Sequence, residues 1–300
     1  MPPHLAAARP VPRSAVDLDA VRAGFSRKAA EYDERLLTHP VDRRARALIR
    51  EVVLGRLRPG DAILEINAGT GSDAAFFADQ GFRVHATDVA EGMVARIRTK
   101  IEDRGSPPSF TAELRPFTEL AGVAGAPYDL VFSNFGGLNC TDRLPDVARE
   151  LSRVLRPGGF AVLVVAPPVC PWEHVQIVRG HWRTATRRWV RGGAWANVEG
   201  ARVHAWYHTP SAVQHAFGPR FRRRSLESVC LFAPALFLEG FPRRHASLTR
   251  LGMWMDERLA SRWPFSTMGD FCVLTLQLRT RRRLDRPCHP DGDLTGGQMR

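Results

Sequence analysis

Apolar positions between about residues 17 and 54 recur at three- and four-residue steps and predict two helices, VRAGFSRKAAEYDERL and VDRRARALIREVV, parted at His39-Pro40. From Ala62 the period changes repeatedly. AILEI (Ala62–Ile66) reads as a short buried strand, SDAAFFADQG as a helix ending at Gly81, and FRVHATD as a second strand. EGMVARIRTKIEDRG follows as a helix ending at Gly105, then YDLVFSN as a strand, LPDVARELSRVL as a helix and FAVLVVAPP as a strand. Alternation of this kind with short connections predicts an α/β domain whose mostly parallel sheet is covered on both faces, a doubly wound arrangement. The end of the chain differs. RRRSLESVCLF and DFCVLTLQLR are strand-like runs separated by residues 231–270, where helical patterning returns.

Composition narrows the class. A chain of 300 residues with 44% apolar and 25% charged positions is neither disordered nor collagen-like, and its length suits one large domain with insertions. The first twenty residues hold no continuous apolar run of the secretory kind. The longest apolar stretch, FAVLVVAPPVCPW, is roughly half a membrane span and is broken by prolines, so no segment is expected to cross a bilayer. Five cysteines without a CxxC argue against a zinc knuckle or a disulfide framework and for a reducing cytoplasm, and no metal site is expected.

Charge is the unusual feature. The formal net charge is +12, carried by arginine, with lysine only at Lys28 and Lys100. Val169–Arg250 holds thirteen arginines against four acids, with five of the seven tryptophans. The excess therefore lies outside the alternating half of the chain and points to an anionic partner there. The resulting organisation is a disordered arm (1–14), N-terminal helices and an alternating strand–helix core (15–168), a helical cap or lid (169–209), a return to the core (210–231), a second cap insertion (232–269), a last strand (270–280) and a disordered tail (281–300).

Candidate chemistry sits in ILEINAGTGSDAAFFADQGFRVHATD. Gly69 and Gly71 permit a tight turn and close backbone approach to a ligand, and the helix beginning near Ser72 aims its free N–H groups at the same place. Asp88 ends the second strand about twenty residues later, where a carboxylate takes both hydroxyls of a ribose. Gly69, Gly71 and Ala74 also satisfy a dinucleotide fingerprint. Glu65, however, would repel a pyrophosphate and suits a ligand carrying an ammonium.

These residues resemble class I S-adenosylmethionine-dependent methyltransferases. Glu65-Ile66-Asn67-Ala68-Gly69-Thr70-Gly71 is similar to the family's first motif, Asp88-Val89 with Met93 to the segment after it, Tyr128–Asn134 to the fourth-strand motif, and Leu155-Arg156-Pro157-Gly158-Gly159 to the turn opening the fifth strand. Phe25–Asp33 resembles the N-terminal helix of the small-molecule, quinone-biosynthesis-like branch. The resemblance implies a Rossmann-like sheet with an antiparallel last strand and helical cap insertions. It implies S-adenosylmethionine as cofactor, leaving as S-adenosylhomocysteine, with Glu65, Asn67, Ala68, Gly69, Gly71, Asp88, Val89, Met93, Ser133 and Asn134 around it. Asn67 departs from the motif's usual first glycine. No acid for the adenine amino group is evident in FTAELRPFTEL, so Phe117, Leu114, Arg115 or Glu113 remains open for that contact.

Methyl transfer from a sulfonium needs alignment and exclusion of water, with a general base only where the acceptor must lose a proton. Candidate catalytic residues are Glu173 and His174, just past the fifth strand, and Tyr32. Trp172, Val175, Val178, Trp182 and Trp189 predict one apolar stripe on a lid helix. Arg179, Arg183 and Arg187 form a second stripe beside it, which with Trp172 would hold the acceptor's anion. A small anionic or aromatic acceptor, such as a natural-product intermediate or a prenyl diphosphate, is the expected substrate. Nucleic-acid methylation is disfavoured because Ser133-Asn134-Phe135-Gly136 departs from the base-amino methyltransferase motif. An NAD-dependent oxidoreductase and, because of Asn67, a non-catalytic methyltransferase fold are the remaining alternatives.

Overall fold

The computed structural model describes residues 18–280 except 191 and 239, with the backbone alone for residues 30, 31, 34–38 and 179. The expected arm (1–14) and tail (281–300) lie outside the described residues. Helices α1 (Leu18–Thr38) and α2 (Pro40–Leu54) lead into an alternating core. That core is β1 (Ala62–Ile66), α3 (Ser72–Asp79), β2 (Arg83–Asp88), α4 (Glu91–Glu102), β3 (Phe110–Leu114), β4 (Tyr128–Ser133), α5 (Leu144–Val154) and β5 (Leu155–Val165). The lid contains α6 (Pro171–His174), α7 (Trp182–Thr186) and a hairpin, β6 (Ala194–Val198) with β7 (Ala201–Ala205). The chain returns through α8 (Pro210–Phe217) and β8 (Phe221–Val229), forms a second cap with α9 (Phe241–Arg244) and α10 (Ala246–Leu259), and ends in β9 (Phe271–Leu278).

Seven strands form one sheet in the order β3-β2-β1-β4-β5-β9-β8. β3, β2, β1, β4 and β5 run parallel, while β9 is antiparallel to both neighbours, β5 and β8. The order reverses at β1, so β1 and β4 open a crevice at their C-terminal ends. β1 and β4 are buried along their whole length because helices cover both faces. One apolar layer joins Leu64, Val131 and Leu163 to α5 and α8; the other joins Ile63, Phe132 and Val164 to α2 and α3.

Two expectations for the lid require correction. Residues 169–209 are not purely helical: Glu199 and Gly200, both at positive φ (47° and 81°), close the β6–β7 hairpin. That turn is the kind an Xaa-Gly pair flanked by alternating residues makes, so Ala-Trp-Ala-Asn-Val before Glu199-Gly200 held the signal. Nor do the tryptophans share one helix face. Gly180, at φ 77°, ends a 3-10 turn (Val175–Arg179) before α7 starts. The three- and four-residue spacing is thereby lost, and Val175, Val178, Trp182 and Trp189 stay exposed.

α1 is wedged between α4 and the hairpin by two glycines. A Cβ at Gly92 would lie 2.6 Å from the Ser26 carbonyl oxygen, and one at Gly24 would lie 2.8 Å from that of Val198. Both obstacles are backbone, so neither can turn aside. Gly92→Ala is expected to push α1 off α4 and lower stability by about 1–3 kcal/mol, the cost of overpacking; an unchanged thermal midpoint would refute the wedge.

Candidate active site

The site begins where β1 ends. Asn67, Gly69 and Gly71 carry φ of 47°, 57° and 74°, so three left-handed residues turn the chain into α3. Asparagine tolerates this conformation better than most residues, and here its amide is also used. Ser133 Oγ donates to Asn67 Oδ1 at 2.6 Å, and Asn67 Nδ2 donates to the Asn134 carbonyl at 3.0 Å. Asn67 thus pins the end of β1 to the end of β4, a role glycine cannot fill. Gly71 is required by packing, since a Cβ there would meet Ile97 Cγ1 at 2.8 Å.

Two carboxylates converge on this turn. Asp88 accepts from the Gly69 N–H and the Ala90 N–H, each at 2.9 Å. Burial pushes its pKa up to about 6, against the pull of those backbone donors. Glu65 is 1% exposed, and its Oε2 has no hydrogen-bond partner among the described residues. Burial raises the Glu65 pKa well above the carboxylate range; Asp73 and Asp88 add to this and Arg46 and Arg50 oppose it. A buried acceptor without a donor is costly unless a ligand supplies one.

Charge around Glu65 is organised by Asp73, in the first turn of α3. It pairs with Arg46, with Arg50 at 2.7 Å, and accepts from Asn134 Nδ2 at 2.6 Å. Arg46 lies over the Phe135 ring. From α1, Asp33 accepts from Thr70 and Ser72 and pairs with Lys100, which together hold its carboxyl below the usual range although burial opposes them. Asp33, Arg46, Arg50 and Asp73, with Asp42 paired to Arg46 at 3.9 Å, were not among the expected site residues. Periodicity marks Arg46 and Arg50 only as an i, i+4 pair on α2, and nothing local says that this face turns inward.

Other expected cofactor positions fall differently. Ala68 and Val89 are half-buried at the turn, Ser133 and Asn134 are buried at the end of β4, and Phe117 packs partly against the core. Met93 is 1% exposed and packs with Ala29, Ala90, Phe25 and Tyr32 at the α1–α4 contact. Glu113 is engaged by Arg115 and His85, which removes it as a free acid for adenine.

A cavity of about 1070 Å³, whose lining includes none of Glu65, Asn67, Gly69, Gly71 or Asp88, is walled by α1, the start of α2, the loop after β4, both caps and the start of β9. Tyr32 lines it; Glu173 and His174 do not. Glu173 is fully buried, accepts from Arg187 Nε at 3.0 Å and Arg188 Nε at 2.9 Å, and is held below its usual pKa by both against the effect of burial. Arg188 also pairs with Asp270 at 2.7 Å, and Asp270 accepts from the Leu236 N–H. This joins the lid, the second cap and β9. A carboxylate so clamped is a poor base, and its role is corrected to that of a structural anion. His174 packs its ring on Trp189, and burial lowers its pKa.

Of the expected anion-binding residues, Arg187 lines the cavity but faces Glu173, Arg183 is exposed away from it, and Trp172 packs on Phe241. The Arg179 side chain lies outside the described residues. Cys170, Glu173 and Asp270 come within 4.8 Å of one another, the one such group among the described residues. Arg188 already neutralises both acids, and burial pushes the Cys170 thiol up to about 12, so the cluster behaves as an ion pair beside a protonated thiol. The cavity cations without a carboxylate partner among the described residues are Lys28 and Arg243.

The doubly wound sheet, with an acid and glycine turn after β1, an acid closing β2 and an antiparallel β9, has the Rossmann-like methyltransferase fold, and its core is similar to class I S-adenosylmethionine-dependent methyltransferases. Residues 63–159 match the family model described as Methyltransferase domain. A demethylmenaquinone methyltransferase of Beutenbergia cavernae is 33% identical over 171 residues, covering 54% of this chain and 66% of that protein. A malonyl-[acyl-carrier protein] O-methyltransferase of Enterobacter lignolyticus is 32% identical over 170 residues, covering 56% and 60%. The chain thus spans less than two thirds of the curated relatives' length. The solved structure of Burkholderia thailandensis 1,6-didemethyltoxoflavin-N1-methyltransferase, with S-adenosylhomocysteine bound there, shares the fold at TM-score 0.53 and 17% identity, covering 90% and 92% of the two chains.

Glu173→Gln removes the charge that two arginines share. Because it leaves Arg188 with a single buried partner, stability is expected to fall by about 3–5 kcal/mol; a thermal melt matching the parent would restore Glu173 as a candidate base.

Proposed function

We propose that this chain transfers the methyl group of S-adenosylmethionine to a small anionic, aromatic acceptor held in the 1070 Å³ cavity. The observation that carries the reading is the buried Glu65 carboxylate, with an oxygen left without a donor beside the glycine turn. It matches a cationic ligand and opposes a pyrophosphate, which favours the methyl donor over a dinucleotide. When bound, the cofactor supplies a methyl group on a positively charged sulfur. Glu65 would hold its ammonium, Asp88 its ribose hydroxyls, and Phe117 or Leu114 would face its adenine.

The protein's own part is orientation. Arg46, stacked on Phe135, and the Arg188–Glu173–Asp270 cluster fix the cavity walls so that acceptor and cofactor meet with water excluded. Tyr32 is the one of the three candidate catalytic residues on the wall, where its hydroxyl can orient the accepting atom. Lys28 on α1 and Arg243 on α9 replace the lid arginines as the acceptor's anion contacts.

Calorimetry with S-adenosylhomocysteine tests the cofactor half. Asp88→Ala and Glu65→Gln are each expected to weaken binding at least tenfold, since each removes a charged hydrogen bond (about 1.5–3 kcal/mol); parent-like affinity in both would sink the reading. Protonated Asp88 is the poorer acceptor of ribose hydroxyls. Affinity should therefore fall with pH as Asp88, raised to about 6, and Glu65, raised well above the carboxylate range, take up protons, and Asp88→Asn with Glu65→Gln together should remove that dependence. Methyl incorporation into carboxylate, phosphate and neutral aromatic acceptors tests the other half. Lys28→Gln with Arg243→Gln should lower kcat/KM at least tenfold for the anionic acceptors only; equal losses on neutral ones would reject the anion assignment.

A further inference from the structure

α10 is an amphipathic helix turned inside out. Its inward positions are Thr249 and Asp256, each 4% exposed, and Gly252, whose missing Cβ would lie 2.5 Å from the Phe232 carbonyl oxygen. Asp256 accepts from the Phe232 and Ala233 N–H groups at 2.9 and 3.0 Å, so the helix is held by a polar clasp and close backbone approach. Met253 packs against the core, but three other apolar residues face away: Leu248, Leu251 and Trp254 are 58%, 53% and 51% exposed at steps of three residues. At about 100° per residue these span an arc of about 120°, the width of a face that ordinarily packs on a core. Nothing among the described residues covers it.

The charge beside that face is of one sign. Arg250 and Arg258 are exposed and form no ion pair with a described carboxylate, and the Arg258 guanidinium lies 4.1 Å over the Trp254 ring. The one exposed acid on the helix, Glu257, is bound by Arg44 at 2.5 Å. Arg244 stands exposed just before the helix. A twofold contact between two copies would set this face against itself, arginine toward arginine, which opposes self-association. An anionic lipid surface satisfies both halves: leucine and tryptophan enter the headgroup boundary while the arginines meet phosphates.

We propose that α10 is an in-plane docking helix that seats this protein on an anionic membrane surface through Leu248, Leu251 and Trp254, with Arg250 and Arg258 on the headgroups. Its place in the fold gives the contact a use. The preceding helix, α9, carries Arg243, which lines the cavity together with Phe237 and Gly240. Docking on α10 brings that wall toward the lipid, so an acceptor with an apolar tail can enter from the bilayer. No helix among the described residues is long and apolar enough to cross a membrane, and none is needed for such a contact.

Vesicle flotation of the full chain tests this directly, with phosphatidylcholine vesicles compared with vesicles containing phosphatidylglycerol. At least tenfold more protein should float with the anionic vesicles. Leu251→Ser with Trp254→Ser should abolish that excess, and Arg250→Gln with Arg258→Gln should lower it and weaken its salt dependence. Thermal melts and S-adenosylhomocysteine binding of the variants should match the parent, since all four side chains are exposed. Three results would overturn the proposal: no preference for anionic vesicles; a preference that survives the serine pair, as a purely electrostatic polyanion site for RNA would give; or a dimer in ultracentrifugation that the serine pair dissolves.

Discussion

Everything at the cofactor end depends on one buried anion, Asp73. Its carboxylate draws Arg46 and Arg50 of α2 onto the first turn of α3 and takes the Asn134 amide from the end of β4. Helix, glycine turn and strand end are thereby referred to a single point. Buried ion pairs contribute little net stability because desolvation offsets their attraction, but they fix geometry. Here the geometry is what matters: two guanidinium groups held nearby temper the cost of burying Glu65 in the same neighbourhood. The site is electrostatically prepared by α2, an element that contributes no motif of its own.

A second buried cluster does for the caps what Asp73 does for the core. Arg188 reaches from the lid to Glu173, to Asp270 before β9 and to the Pro167 carbonyl. The positive charge concentrated after β5 therefore has two uses. Arg187 and Arg188 turn inward as tie-bars, while Arg243, joined by Lys28 of α1, stands at the cavity without an acidic partner among the described residues. Counting arginines along the chain cannot separate the two, because the distinction lies in which acids the fold brings near.

The core was legible because its signals are local. Short apolar strands such as Ala62–Ile66, glycine-terminated helices and the left-handed turn at Gly69 and Gly71 depend on neighbours in sequence. The position of Glu65 at the end of β1 and of Asp88 against Gly69 follows for the same reason, both being offset from that turn by fixed steps. The lid was not. Its tryptophans keep helical spacing, yet Gly180 breaks the helix and Glu199-Gly200 folds a hairpin that local alternation alone could have suggested. Glu173 was misread because its partners lie 14 and 15 residues ahead on a bent path, and Asp33 because its partners lie 37 or more residues away.

The placement of β9 bears on how the chain is made. It is the last strand among the described residues and sits between β5 and β8, each of which it pairs along six or more residues. Until residues 271–278 emerge during synthesis, the open side of β5 and both sides of β8 expose unpaired backbone, with two cap insertions tethered between them. Such edges are templates for pairing with other chains. The nascent protein thus carries the open edge of β5 from residue 165 until β9 is made, and β9 covers that edge and one side of β8 together. A chain cut before Phe271 would keep the cofactor core with its sheet unsealed at β5.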